Sequence, residues 1–126
     1  MYHRIFAFLA LLLCAIAARG DEPIVIKDSE ASEYAGKAVE VRGRVASVTI
    51  SPLGTVFINF GAEYPNQTFA GFIEAGSAIG IDQRLTMIQG KVISITGTIQ
   101  LREGKPEINV VSQDQIKGLD APFADQ

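Results

Sequence analysis

Residues 80–101 read GIDQRLTMIQGKVISITGTIQL, and the hydrophobic period changes halfway through them. In the first half Ile81, Leu85 and Ile88 recur at helical spacing and form one apolar stripe. Gly90 ends that pattern. From Lys91 the period drops to two, with β-branched residues at alternate positions, which is a strand. A short helix entering directly on a strand limits the folds open to the rest of the chain.

Three strand signals precede it. Ala38–Ile50 (AVEVRGRVASVTI) alternates, with Val39, Val41 and Val45 on one face and Glu40, Arg42 and Arg44 on the other. Residues 51–54 (SPLG) make a turn. Residues 55–61 (TVFINFG) form a second strand, with Val56, Ile58 and Phe60 on one face and Phe57 and Asn59 on the other. Residues 62–67 form a loop, and residues 68–75 (TFAGFIEA) a third strand. After residues 91–101, REGK (residues 102–105) makes a tight turn. Residues 106–111 (PEINVV) form the last strand, with Ile108 and Val110 inward.

Two segments share one pattern. GKAVEVRGRV (residues 36–45) and GKVISITGTI (residues 90–99) both place a glycine inside a strand, at Gly43 and Gly97. Mid-strand glycine weakens a strand, and in a small barrel it permits a sharp bend. The expectation is a hinge where long strands fold around a small barrel.

The order is therefore three strands, a helix and two strands. It predicts an all-β chain with a five-stranded OB-fold Greek-key barrel, the helix lying between strands three and four. An SH3-like barrel or a small α+β roll is the alternative. Ahead of the barrel, residues 21–36 read as an extended lead-in and a short N-terminal helix with Ser29 as its cap. Residues 37–117 hold the barrel, and residues 118–126 a flexible C-terminal tail.

The first 20 residues stand apart. Arg4 is followed by an unbroken apolar run of 14 residues (5–18) and then small residues. That order is a secretory signal peptide, too short for a membrane span. Cleavage after Ala17 or after Gly20 fits, and the mature chain is expected to be periplasmic or secreted.

Cys14 and His3, the single cysteine and histidine of the 126 residues, leave with the signal. The mature chain then has no disulfide, no imidazole base and no thiolate, so Cys and His nucleophile–base pairs and soft-metal sites are excluded. No cofactor or metal is expected, no carboxylate pair stands out, and the chain is expected not to be an enzyme. Arg4 and Arg19 leave as well, so nine basic residues face 14 acidic ones and the net charge moves from −3 to −5. Proteins that bind nucleic acid through phosphates are usually basic.

GKAVEVRGRV, GTVFINFGAEYPNQTF, GKVISITGTI and GKPEINV with QDQI together resemble a family of small exported bacterial OB-fold proteins. The likeness covers residues 34–116. Related domains occur alone or beside secreted nuclease-like domains, and the resemblance implies a nucleic-acid-binding type of OB domain. Such sequences often carry an aromatic residue where Arg102 stands here, which removes a stacking platform from the last loop.

OB domains take ligands across strands two and three, flanked by the loops joining strands one to two and four to five. The candidate ligand-binding residues are Phe57, Asn59, Tyr64 and Phe69, with Phe72 in place of Phe69 if the register of the third strand is the other one, and Arg42, Arg44, Arg102 and Lys105 for phosphates. Phe57 either stacks a base or packs under a loop or the N-terminal helix, beside Tyr34. Asn59 either meets a ligand or braces the following loop. The expected partner is single-stranded nucleic acid or oligonucleotides. A secreted or periplasmic protein, a peptide or another small ligand is the alternative, which the acidic balance favours.

Overall fold

A computed structural model describes residues 22–77, 79 and 83–120. The signal segment therefore lies outside the described residues, as do Ile81 and residues 121–126 of the tail. Among the described residues there are eight strands, not five: β1 (Ile24–Lys27), β2 (Ala38–Ile50), β3 (Val56–Phe60), β4 (Phe69–Ile73), β5 (Val92–Thr98), β6 (Gln100–Arg102), β7 (Lys105–Asn109) and β8 (Ile116–Lys117). The expected last strands shift accordingly, and the count rises for two reasons. Ile99 separates the long fourth strand into β5 and β6; its N–H donates to the Lys37 carbonyl, one step beyond the Ala38–Thr98 pair, and its carbonyl accepts from the Gly36 N–H. Two short strands also join the edges: β1 lies parallel to β2, and β8 antiparallel to β5.

The long β2 organises the sheet. Its first half, Ala38 to Arg44, pairs antiparallel with β5. Its second half, Val45 to Ile50, pairs with β3, with a register shift between Val45 and Ser47. β3 pairs with β4, β4 runs parallel to β7, and β7 pairs with β6. The result is an OB-like β fold. One face of this curved sheet is apolar throughout. Ile58, Phe60, Phe69, Ile95 and Ile108 are all at most 1% exposed and lie in one core cluster.

The two mid-strand glycines act by proximity. A Cβ on Gly97 would stand 2.5 Å from Ile108 Cγ2 and 3.3 Å from Gln115 Nε2. A Cβ on Gly43 would meet the carboxylate of Asp28, which accepts a hydrogen bond from Thr68 Oγ1. The bend of β2 falls just beyond Gly43, at the register shift. The hinge reading therefore gives way to close approach.

The helical segments are short and of 3-10 type. Asp28–Tyr34 begins at Lys27, not at Ser29, and the Glu30 carboxylate accepts from the Lys27 amide at 2.9 Å. Its Ala31 is fully buried. The helix expected over residues 80–90 is a 3-10 turn, Gln83–Met87. Thr86 Oγ1 bonds the Gln83 carbonyl at 2.7 Å, a local bond that competes with helix propagation. Leu85 and Ile88 are buried as the stripe requires. At the other end, residues 118–120 are held rather than frayed. Leu119 packs against the core, and Asp120 pairs with Arg84 at 2.7 Å.

Replacing Gly97 by Val forces Ile108 out of place. Overpacking of this kind costs roughly 1–3 kcal/mol. Denaturant unfolding of Gly97→Val should show that loss; stability equal to the parent would refute close packing at this position.

Candidate ligand groove

Period-two alternation sends two rows of side chains to the outer face of β3, β4 and β7. In register, the first row runs Ser47, Asn59, Ala70, Glu107, and the second Thr49, Phe57, Phe72, Asn109. A groove of about 470 Å³ opens over these rows. The β2–β3 turn walls one side with Ile50, Ser51 and Pro52. The β6–β7 hairpin walls the other with Arg102, Glu103 and Lys105, and Tyr64 and Gln67 close the end. The hairpin is a two-residue turn with Glu103 at φ 52° and Gly104 at φ 80°, the positive values that a type I′ turn requires.

Phe57 is half-buried in this groove and does not pack beside Tyr34, which lies against the core. Its ring centroid is 6.4 Å from that of Phe72, with the planes at 31°. Phe72 is 4% exposed and is covered by the Arg102 guanidinium, 4.7 Å above its ring. Asn59 is 1% exposed. Its Nδ2 donates to Ser47 Oγ at 3.1 Å and Thr49 Oγ1 at 3.4 Å, so the bracing partners are hydroxyls of β2 and not the loop backbone. Tyr64 stands largely exposed on the rim.

Three of the eight candidate residues lie elsewhere. Phe69 is fully buried, its ring 5.2 Å from that of Phe60. The register pairs Phe69 with Phe60 inside and Phe72 with Phe57 on the outer face, where Arg102 covers Phe72; the rings that line the groove are Phe57 and Tyr64. Arg42 and Arg44 sit on the half of β2 that pairs with β5, before the bend, and neither lines the groove. Arg44 Nη1 donates to the Gly90 carbonyl.

Glu107 and Gln67 are groove residues that the sequence reading did not name. Alternation with inward Ile108 could have placed Glu107 on the outer face. Gln67 gives no such signal, because it belongs to a loop that is buried only when the fold closes. Arg102 Nε approaches Glu107 Oε1 at 3.2 Å as an ion pair, but its N–H is not aimed at that oxygen, which receives no hydrogen bond. Burial raises the Glu107 pKa above the usual carboxylate value. The charge of Arg102 opposes that rise, and Glu103 adds to it. The charged groove residues balance, with Arg102 and Lys105 facing Glu103 and Glu107. Among the described residues no group of three His, Cys, Asp or Glu side chains is placed to hold a metal ion.

A carboxyl with a raised folded-state pKa binds its proton more tightly in the folded protein, so ionising it opposes folding as pH rises. Melting curves of Glu107→Gln against the parent should show the variant gaining relative stability as pH rises through that pKa, and no such gain at more acid pH. A difference that does not vary with pH would contradict the burial of this charge.

No protein-family model matches the chain, and no curated protein matches it. Among solved structures it is similar to the OBody AM1L10 bound to hen egg-white lysozyme, at 16% identity and a TM-score of 0.52, over 82% of this chain and 97% of that one. It also aligns with a putative aspartyl-tRNA synthetase from Leishmania major Friedlin, at 16% identity and a TM-score of 0.48, over 77% of this chain and 21% of that one. An aspartyl tRNA synthetase from Entamoeba histolytica aligns at 19% identity and a TM-score of 0.45, over 75% of this chain and 20% of that one. The chain spans about a fifth of the length of the two synthetase chains. At these identities the likeness is one of fold.

Proposed function

We propose that the chain is an exported, non-enzymatic binding module whose groove holds a short segment of single-stranded nucleic acid. With β5 and β6 counted as one strand broken at Ile99, the pairing runs in a circuit through β2, β3, β4, β7 and back to β2, which supports taking the face that carries the groove as the ligand face of an OB-like fold. The observation that carries the reading is Phe57. It is a half-exposed ring lining the groove, flanked on the neighbouring strand by Phe72 at 6.4 Å, and Tyr64 offers a second, exposed ring in the same groove. Every base has a π-face, so an aromatic floor accepts an unpaired base whatever its sequence. Export is supported by the order of charge, apolar run and small residues in positions 1–20.

The charge of the groove sets the character of this binding. Only Arg102 and Lys105 are positioned for phosphates, and Arg102 also serves Phe72 and Glu107. Stacking therefore dominates over counterion release.

A peptide ligand is the second reading. Balanced groove charges and an exposed apolar rim, with Ile50 on one wall and Leu53 at the neighbouring turn, favour it. The alternatives separate by titration with labelled single-stranded DNA.

For two phosphate contacts on a single strand, raising salt from roughly 50 to 200 mM weakens binding about sevenfold, against the thousandfold losses of strongly basic binders. Phe57→Ala should lose about tenfold or more in affinity, since stacking contributes roughly 1–3 kcal/mol per base. Its melting temperature should stay near that of the parent. No binding at low salt would remove the nucleic-acid reading and leave the peptide one. Mass measurement of the protein recovered from an exporting host should give a chain that starts at Ala18 or Asp21; an intact Met1 would refute export by cleavage.

A further inference from the structure

Arg102 is placed unlike a cation that only reaches for a phosphate. Its guanidinium lies over the Phe72 ring, with Cζ 4.7 Å from the centroid. Its Nε stands 3.2 Å from Glu107 Oε1. Arg102 and Lys105 are the cross-strand pair that closes the β6–β7 hairpin, so a tight turn fixes the base of the side chain. Ring, carboxylate and turn together restrict it, yet the side chain is 53% exposed and lines the groove. Phe57 and Phe72 are cross-strand partners with ring centroids 6.4 Å apart. The bare ring of Phe57 and the cationic cover of Phe72 therefore stand side by side on neighbouring strands.

We infer that Arg102 is a stacking platform for a nucleobase, a second one beside Phe57. This inference rests on the single-stranded nucleic-acid reading and assigns the role of one residue within that site. A guanidinium is planar, delocalised and weakly hydrated, and unpaired bases stack on it as they do on aromatic rings. Phe72 is what prepares it for that role. The π-face of the ring attracts the cation and holds it down on the sheet, and the cation in turn attracts the π-face of a base arriving from the groove. Two platforms on neighbouring strands take two unpaired bases of one strand. The charge of Arg102 stays beside the ligand, so the salt dependence remains that of two cations. A lysine here would keep the charge and lose the plane.

Titrating a labelled single-stranded DNA against the parent, Arg102→Lys and Arg102→Tyr separates plane from charge, with melting curves recorded to confirm that both variants fold. Arg102→Lys should bind about fivefold more weakly or worse, since a stacked base is lost. Its weakening between roughly 50 and 200 mM salt should stay about sevenfold, because the charge is kept. Arg102→Tyr restores a plane without charge. It should bind tighter than Arg102→Lys at about 200 mM salt, and its own salt weakening should shrink to about threefold. Parental affinity in Arg102→Lys, or weaker binding by Arg102→Tyr than by Arg102→Lys, means that the charge alone acts; either result overturns the inference and leaves the nucleic-acid reading standing. No binding of the strand by the parent at low salt overturns both.

Discussion

β2 changes partner at Arg44. Up to that residue its ladder is with β5 and from Val45 onward with β3, and the two overlap at the junction, where Val45 N–H still donates to the Lys91 carbonyl and the Arg44 carbonyl already accepts from Gly61 N–H. A single strand thus belongs to two walls, and the register shift between Val45 and Ser47 is where it turns from one to the other. The apolar side of both halves stays inward through the turn, which keeps Val41, Val45 and Ile58 in one core. The same bend divides the polar residues of the strand: Arg42 and Arg44 stay with the β5 wall, while Ser47 and Thr49 lie on the other half and brace Asn59. A straight β2 would have neither the curved sheet nor that separation.

The groove follows from parity. In β4, Phe69, Gly71 and Ile73 face inward and Ala70 and Phe72 outward, and pairing with β3 aligns Phe72 with Phe57. Phe72 would be an exposed aromatic on an ordinary sheet face. Arg102 prevents that by lying over its ring while its Nε stays beside Glu107. One side chain thereby links the hairpin wall to the floor. Phe57 has no such cover and stays half-exposed in the groove.

Much of this order was legible in the chain. Alternation located β2, β3, β4 and β7 and assigned Val39, Val41, Ile58, Ile108 and Val110 to the interior. It failed where strands were too short to show a period: β8 has two residues, and β1 reads IVIK with one buried position. It also failed on parity in FAGFI, where all five residues are buried and nothing in their hydrophobicity tells one face from the other. The site was half-legible for the same reason. Phe57, Asn59, Tyr64, Arg102 and Lys105 sit on elements that the pattern defines. Gln67 owes its burial to tertiary closure, and Phe72 was indistinguishable from Phe69 until its register was known.

The pairing of β2 with β5 joins segments far apart in sequence, Ala38 with Thr98 at one end and Arg44 with Val92 at the other. The β4–β7 pairing is parallel and cannot be made by a hairpin. Non-local closures of this kind slow folding, because the loop entropy is spent before the contacts form. As the chain emerges, β2, β3 and β4 can assemble as a meander, but their apolar face waits for Ile93, Ile95 and Ile108. Until the last third of the chain arrives, that face is open to other chains. The vulnerable stage in the life of this protein is thus the interval before closure, and the groove on the opposite face takes its shape only when that interval ends.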